Sequence, residues 1–336
     1  MIEVLQPGPM VTVQDRGRSG LRHAGVSAAG PMDAPAFALA NALAGNAPDA
    51  AVLEFAGLAG QFRAHADCRI AVTGGQAELR IGDRPVPVNQ SHRVRAGEEF
   101  RVGALADAVW GYLAVSGGIA TPRVMGSRAA HLRSGLGGGL LRPGDRLPLG
   151  DFDAGAPCLT LAHPLTPAPP GAPIRVVLGP QDDRFSPGTL ECFLTDGFTV
   201  SPRRDRMAMM LDGPPLVAPG GHDIVSDGTV MGAIQVPGSG QPIVLMAESQ
   251  TTGGYPKIAT VIGADLPRLA QMATGAVIRF AAVTQSEAEE IWIAHARALR
   301  ARLSGLRPRP EGGLSSAWLL SCDLVGGIWP PEEVVW

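Results

Sequence analysis

The residues best suited to chemistry surround Lys257, the only lysine in the 336-residue chain. The lysine follows the stretch "ESQTTGGYP". Consecutive backbone amides at Thr251, Thr252, Gly253 and Gly254 could point into one concavity, because glycine allows the backbone angles that such a nest requires. An oxyanion or a polarised carbonyl would bind there, with the lysine ammonium close by. An ordinary hairpin turn is the alternative explanation of the same glycines.

A second polar cluster spans residues 12–33, "TVQDRGRSGLRHAGVSAAGPMD", and contains four glycines. Its polar side chains are Gln14, Asp15, Arg16, Arg18, Arg22, His23 and Asp33. The planar guanidinium of arginine matches a carboxylate or phosphate ligand. A structural pair between Asp15 and Arg18 that holds the turn is the alternative interpretation.

The glycine-rich segment 116–145 does not match a dinucleotide-binding loop, because Leu140 stands where the last glycine of the pattern should be. It is predicted to be a mobile lid, a phosphate-contacting loop or a cluster of β-turns. Lys257 is followed by Ile258 and preceded by Pro256, which excludes a phosphate-binding P-loop and a biotin carrier motif.

The composition excludes several further classes of protein. A net charge of −3 gives no basic surface for nucleic acid. No apolar run approaches the roughly 18 residues that cross a bilayer. The N-terminus lacks the layout of a signal peptide, so a cytoplasmic location is expected. No metal site is predicted, because the four cysteines and seven histidines show no metal-ligand spacing.

Many short apolar runs bounded by glycine and proline predict a mainly β protein. Only two segments are predicted as helices, namely 33–45, with Asp33 as its N-cap, and 284–305, acidic at its start and basic at its end. Five prolines within residues 163–173 indicate a linker. The predicted organisation is an N-terminal β domain (1–162), this linker, a C-terminal β domain (174–305) and a C-terminal extension (306–336).

Four separated motifs resemble the family that contains the C subunits of bacterial 5-oxoprolinases. Members are also called allophanate hydrolase subunit 2 or biotin-dependent carboxyltransferase proteins. The motifs are "TVQDRGRSGLRHAGVSAAGPMDAPAFALANALAGN", "YLAVSGGIATPRVMGSRAAHL", "GAIQVPGSGQPIVLMAESQTTGGYPKIATVIGADLPRLAQ" and "LLSCDLVGG". The resemblance implies two cyclophilin-like β-barrel domains with a few short helices.

The same resemblance implies an activity and partners. The C subunit would act with a kinase-inhibitor-like B subunit and with an A subunit, opening 5-oxoproline to glutamate. ATP would be the co-substrate, with magnesium bound within the complex, and no biotin would be attached to this chain. Two alternatives stay open: a carboxyltransferase subunit of a biotin-dependent urea or amide carboxylase, and a non-catalytic regulatory partner of the B subunit.

Within these motifs we assign hypothetical roles to eleven residues. The candidate catalytic residues are Lys257, Asp15 and Gln250. The candidate residues that bind substrate or phosphate are Arg18, Asp33, Gln235, Thr251, Thr252, Gly253, Gly254 and Tyr255. Residues 206–211, "RMAMML", depart from the family pattern Arg-Met-Gly-Tyr-Arg-Leu, and contact of these positions with substrate would indicate a different lactam or amide.

Overall fold

The computed structural model describes residues 1–309 except 164, 166–168 and 170. The last family motif and most of the predicted C-terminal extension therefore lie outside the described residues. None of the helices in the described part of the chain is long and apolar enough to cross a membrane.

Two antiparallel sheets pack around one core in the first part of the chain. Their strands are β1 (Ile2–Pro7), β2 (Val11–Gln14), β3 (Val52–Ala56), β4 (Leu58–Ala64), β5 (Cys68–Thr73), β6 (Ala77–Ile81), β7 (Arg84–Val86), β8 (Ser91–Val94), β9 (Glu99–Leu105), β10 (Trp110–Val115) and β11 (Arg146–Leu147). The strand orders are β11-β1-β4-β9-β6-β7 and β2-β3-β10-β5-β8. Apolar side chains from both sheets, such as Phe62 and Leu53, form a single buried cluster between them.

Helix α1 (Ala34–Ala44) covers the outer face of the five-stranded sheet. Asp33 is its N-cap and accepts a hydrogen bond from Ala36 N at 3.0 Å, and the helix ends at Gly45 with φ of 75°. Both ends agree with the prediction, because a short acceptor side chain and a residue free of Cβ are what helix termini require.

A short strand, β12 (Leu159–Thr160), precedes a second unit that is one eight-stranded sheet. Its strand order is β21-β14-β15-β18-β17-β20-β13-β22. The strands of this part of the chain are β13 (Ile174–Leu178), β14 (Phe198–Arg204), β15 (Ala208–Asp212), β16 (Asp227–Gly228), β17 (Ala233–Gln235), β18 (Ile243–Leu245), β19 (Thr252–Gly253), β20 (Lys257–Val261), β21 (Val277–Ile278) and β22 (Phe280–Ala282). The two edge strands, β21 and β22, are separated only by Arg279, so the sheet curls into a nearly closed barrel. The mainly β, barrel-containing fold is thus confirmed.

Three further helices follow β13. They are α2 (Pro187–Thr195), α3 (Leu266–Ala270) and α4 (Gln285–Ser304). Helix α4 was predicted, and its capping box between Thr284 and Glu287 is present. After α4, strand β23 (Arg307–Pro308) pairs with β12, and Leu303 packs beneath α1, so the chain returns to its first unit.

His92 on β8 makes stability depend on pH. Burial lowers the pKa of this histidine from 6.5 to about 4, and its Nε2 lies 2.7 Å from Pro87 O. The unfolded chain gains this proton first as the pH falls, so we expect the free energy of unfolding to drop by up to about 3 kcal/mol between pH 6.5 and 4. Urea unfolding of His92→Gln should show a weaker pH dependence over this window. An unchanged dependence would contradict the assignment.

Candidate functional site

A cleft of about 320 Å³ lies between the two units. Residues 25–27 and part of 131–136 line it from the first unit, and Met207 and residues 248–250 line it from the second. Residues 248–250 belong to the stretch that precedes Lys257. The cleft therefore lies beside the residues that were predicted to be catalytic. A larger cavity, of about 590 Å³, lies beside the start of α1 and includes Asp33.

The cleft borders side chains whose hydrogen-bonding capacity is unused. Gln250 Nε2 donates to Gln235 Oε1 at 3.3 Å, which leaves Gln250 Oε1 and Gln235 Nε2 without partners among the described residues. The hydroxyl of Ser249 is fully buried and also has no partner in that part of the chain. Buried polar groups without hydrogen bonds are uncommon, and in a cleft they indicate a ligand-binding function. The glutamine pair offers one donor and one acceptor.

Lys257 begins β20 and pairs across the sheet with Gln235 on β17. Its ammonium is buried and bonds Asp227 Oδ2 at 2.8 Å. Its backbone N–H donates to Gln181 Oε1 at 3.0 Å. The lysine ammonium, the Gln181 side chain and the N–H of Gly228 lower the pKa of Asp227. The lysine therefore holds Asp227 rather than presenting a free cation.

The predicted nest of amides is wrong in its geometry. Thr252 and Gly253 form β19, which pairs with β16, and Gly253 and Gly254 both lack the positive φ that a nest requires. Successive N–H groups of a strand point to opposite sides, so they cannot converge on one anion. Tyr255 is 41% exposed, and the carbonyl of Thr251 accepts from Thr229 N at 3.0 Å.

Gly253 nevertheless lies against Gln235. A Cβ placed on Gly253 would be 2.2 Å from Gln235 Nε2. A side chain at position 253 would collide with this buried nitrogen, so the close approach of β19 to Gln235 requires a glycine. The structure thus places Lys257, Gln235, Gln250 and Gly253 in one group.

Asp15 and Arg18 form a second group behind the cleft. No ion pair within 4.0 Å joins them in the described structure, so the predicted direct pair is wrong. Asp15 instead accepts from Ser127 Oγ at 2.5 Å and from Arg128 N at 2.6 Å. These bonds tie the loop before α1 to the glycine-rich segment, which is a structural role.

Asp33 lies apart from both groups. Besides capping α1, its carboxylate accepts from Gln271 Nε2 at 2.9 Å. Burial raises the pKa of Asp33, although the hydrogen bonds from Gln271 and Ala36 act to lower it. Gln271 also binds Gly74 O and Trp110 O, so this contact joins the two units. The structure gives Asp33 a position at the interface instead of in the cleft.

A buried charge network supports one wall of the cleft. Arg206 bonds Glu54 and, through Nε at 2.5 Å, Glu248. Glu54 also accepts from Tyr112 Oη and Met32 N, both at 2.8 Å. Burial acts to lower the pKa of Arg206, but the two carboxylates outweigh it and raise the pKa. No local pattern in the sequence predicted this network.

The departure "RMAMML" does not alter the lining of the cleft directly. Arg206 and Met207 keep the family residues, and Met207 lines the cleft. The changed positions begin β15, where Met209 is fully buried in the core of the barrel and Ala208 and Met210 are half-buried. They reach the cleft only through the packing of β15.

His131 in the cleft has a defined tautomer. The N–H of Ser134 donates to His131 Nδ1 at 3.2 Å, and Ser134 Oγ lies 2.9 Å from the same nitrogen. Because a backbone N–H can only donate, Nδ1 must accept, and the neutral ring carries its proton on Nε2. In the described residues, no group of three or more histidine, cysteine or acidic side chains is arranged to hold a metal.

Comparison with known proteins identifies the family. The model of the carboxyltransferase domain, subdomain A and B, matches residues 24–282. The chain belongs to this carboxyltransferase domain family. All the residues that line the cleft fall within the matched region.

Among members of the carboxyltransferase domain family, the C subunit of the Escherichia coli 5-oxoprolinase is 36% identical over 293 residues, covering 86% of this chain and 93% of that protein. The corresponding C subunit of Haemophilus influenzae is also 36% identical, covering 87% and 94%. Urea amidolyase of Lachancea kluyveri is 30% identical over 86% of this chain, but the match covers only 17% of that longer protein.

Two solved structures share the fold. The crystal structure of TTHA0988 is 35% identical with a TM-score of 0.76, covering 83% of this chain and 55% of that one. The Kluyveromyces lactis urea carboxylase is 26% identical with a TM-score of 0.81, covering 93% of this chain and 30% of that one. This chain therefore spans about half of TTHA0988 and less than a third of the urea carboxylase.

Proposed function

We propose that this chain is the C subunit of an ATP-dependent 5-oxoprolinase, which opens the lactam of 5-oxoproline to glutamate together with its B and A subunits. The proposal is supported by the names of the 36% identical relatives and by the cleft. The observation that carries it is the unused donor and acceptor of the Gln235 and Gln250 pair.

A lactam presents one N–H and one carbonyl oxygen on the same side of its ring, which is the complement of that pair. Gln250 Oε1 would accept the ring N–H, and Gln235 Nε2 would donate to the carbonyl oxygen. The buried hydroxyl of Ser249 supplies a further donor. Hydrogen bonds in a site shielded from water orient the amide and polarise its carbonyl more effectively than water does.

ATP supplies the activation of the carbonyl as co-substrate in this proposal, and its site lies within the multi-subunit complex. The residues of this chain would position the amide and keep water from it until the carbonyl is activated. No complete set of acid, base and nucleophile lies around the cleft in the described part of the chain, which agrees with a site shared with a partner.

The test is ATP hydrolysis by the full chain mixed with its B and A partners, with and without 5-oxoproline, while glutamate is measured. Glutamate released in step with ADP is the expected result. An intact complex without coupled release would contradict the proposal.

Carboxyl transfer is the second candidate, because the fold of the urea carboxylase matches 93% of this chain. Biotin's ureido ring and 5-oxoproline are both five-membered rings with an N–C=O unit, so one cleft could accept either. Activity that requires a biotinylated carrier protein and is abolished by avidin would establish this function in place of the first.

Lys257 provides a prediction within the proposed function. We expect Lys257→Met to lower turnover at least about tenfold, because Asp227 loses its partner and the adjoining β19 segment is no longer held against Gln235. Lys257→Arg keeps the charge and should be mild. Steady-state glutamate release by the two variants is the measurement, and equal activity of Lys257→Met and the wild type would refute the expectation.

A further inference from the structure

Arg18 is a buried cation with unused donors. Its side chain is 1% exposed, and within the described part of the chain neither Nη1 nor Nη2 has a hydrogen-bond partner. Only Nε is bonded, to Val124 O at 3.1 Å. Guanidinium groups are rarely buried unless they are paired, because removing their charge from water is costly. The position therefore requires an explanation beyond packing.

The two carboxylates near Arg18 are already committed to other donors. Glu248 accepts from Arg206 Nε at 2.5 Å and from Leu132 N at 3.0 Å. Asp15 accepts from Gly17 N, Ser127 Oγ and Arg128 N. Their charges partly offset the effect of burial, which lowers the pKa of Arg18. Neither carboxylate forms a direct bond with the terminal nitrogens.

The guanidinium packs against backbone that continues into the lining of the cleft. A Cβ on Gly137 would be 2.4 Å from Arg18 Nη2, and Gly137 follows Leu136, which lines the cleft. The backbone N–H of Arg18 donates to Ala28 O at 2.7 Å, next to Ser27 on another wall. Gly137 has φ of 68°, so this close approach depends on a residue without Cβ. The surrounding backbone is shaped to admit the guanidinium.

We propose that Arg18 binds the carboxylate of the substrate, so that the cleft selects a cyclic amide that carries an anionic group. The inference rests on the proposed function, because the glutamine pair would hold the amide end. Two terminal N–H groups in a fixed plane match the two oxygens of a carboxylate. The substrate would then supply the direct carboxylate partner that no side chain provides among the described residues. Urea, which has no carboxylate, would not use Arg18.

The experiment compares 5-oxoproline with 2-pyrrolidinone, which has the same ring without the carboxylate. In the complex with the B and A subunits, Arg18→Met should raise KM for 5-oxoproline by about 100-fold with a smaller change in kcat. Its KM for 2-pyrrolidinone should stay within about twofold of the wild-type value. Arg18→Lys should lie between the two, because an ammonium keeps the charge and loses the fork. Arg16→Met, in the same loop but exposed, is the matched control and should leave both substrates unaffected.

A binding measurement on the full chain alone separates this inference from the proposed function. We expect 5-oxoproline to raise the melting temperature of the wild type and 2-pyrrolidinone not to do so, with the effect lost in Arg18→Met. This result supports Arg18 even if the complex releases no glutamate. Stabilisation by inorganic phosphate but not by 5-oxoproline would overturn the carboxylate assignment.

Stability distinguishes binding from a structural role. If the role of Arg18 is to bind an anionic ligand, the ligand-free Arg18→Met variant should have a melting temperature no lower than that of the wild type. The substitution removes an unpaired buried charge. A variant that melts well below the wild type, or loses activity equally toward both substrates, would overturn the inference.

Discussion

Replacing Arg206 with methionine is expected to lower the free energy of unfolding by about 3–5 kcal/mol. The arginine is buried between Glu54 and Glu248, both of which are also buried. Without it, two carboxylates remain in a site from which water is excluded. The loss arises mainly from these unpaired charges rather than from the volume of the side chain, which methionine largely fills.

The pH dependence provides a second measurement of the same effect. Burial raises the pKa of Glu54 even in the wild type, against the opposing charge of Arg206. An acid whose folded pKa is raised loses stability as the pH rises through that value, because the folded state must then ionise it at a cost. The defect of Arg206→Met should therefore be larger at pH 8 than at pH 5.

The control is the triple variant Arg206→Met, Glu54→Gln, Glu248→Gln, measured by urea unfolding. The two amides keep acceptors for Tyr112 and for Leu132 N and remove the unpaired charge, so at least half of the lost stability should return. A triple variant as unstable as Arg206→Met would show that packing, and not charge, causes the loss.

Helices and strands were predicted well where a single hydrophobic periodicity is bounded by clear start and stop residues. Short apolar runs bounded by glycine or proline became strands such as β5 and β10, and the helix after Asp33 begins and ends as expected. Helix α2 was missed, although Ser186 caps it and Pro187 opens it, because nine residues between turns carry little periodicity. Helix α3 has no side-chain cap and only five residues, so the proline in its first turn, Pro267, was too weak a signal on its own.

The site was predicted in part, and its errors share one physical cause. Lys257 and Gln235 come together because β20 and β17 are neighbours in the barrel, and Gln250 joins them from a loop through its hydrogen bond to Gln235. The amide nest failed because the pairing of β19 with β16, absent from any local pattern, fixes the orientation of its amides. The geometry of the site therefore depends on contacts between segments that are distant in sequence, and short motifs do not reveal these contacts.

The charge network shows the same limit. Glu54 and Arg206 are 152 residues apart in sequence, and a lone glutamate within the apolar run "VLEFA" was the only local signal. Such a residue predicts that a partner exists, since a buried charge needs one, but not which residue supplies it.

Gln235→Glu is expected to reduce kcat/KM for 5-oxoproline by about 100-fold or more, because it removes the unpartnered donor proposed to act on the ring carbonyl. The substitution keeps the shape of the side chain and an oxygen that can accept from Gln250 Nε2. The measurement is coupled ADP and glutamate release by the complex, with melting temperature recorded in parallel. Since burial favours the protonated carboxyl, which regains a donor, activity should partly recover as the pH is lowered.

Gln241 gives a matched control on the same barrel. Its side chain exchanges two hydrogen bonds of 3.1 Å with the backbone of Gly213, so Gln241→Glu also costs a donor but one remote from the cleft. We expect it to lower stability slightly and to leave kcat/KM within about twofold. If the two variants lose activity alike, the effect is one of barrel stability and Gln235 does not contact the substrate. If only Gln235→Glu loses activity and recovers at low pH, a hydrogen-bond donor at position 235 is required for turnover. Such a donor acts on the acceptor oxygen that any lactam carries.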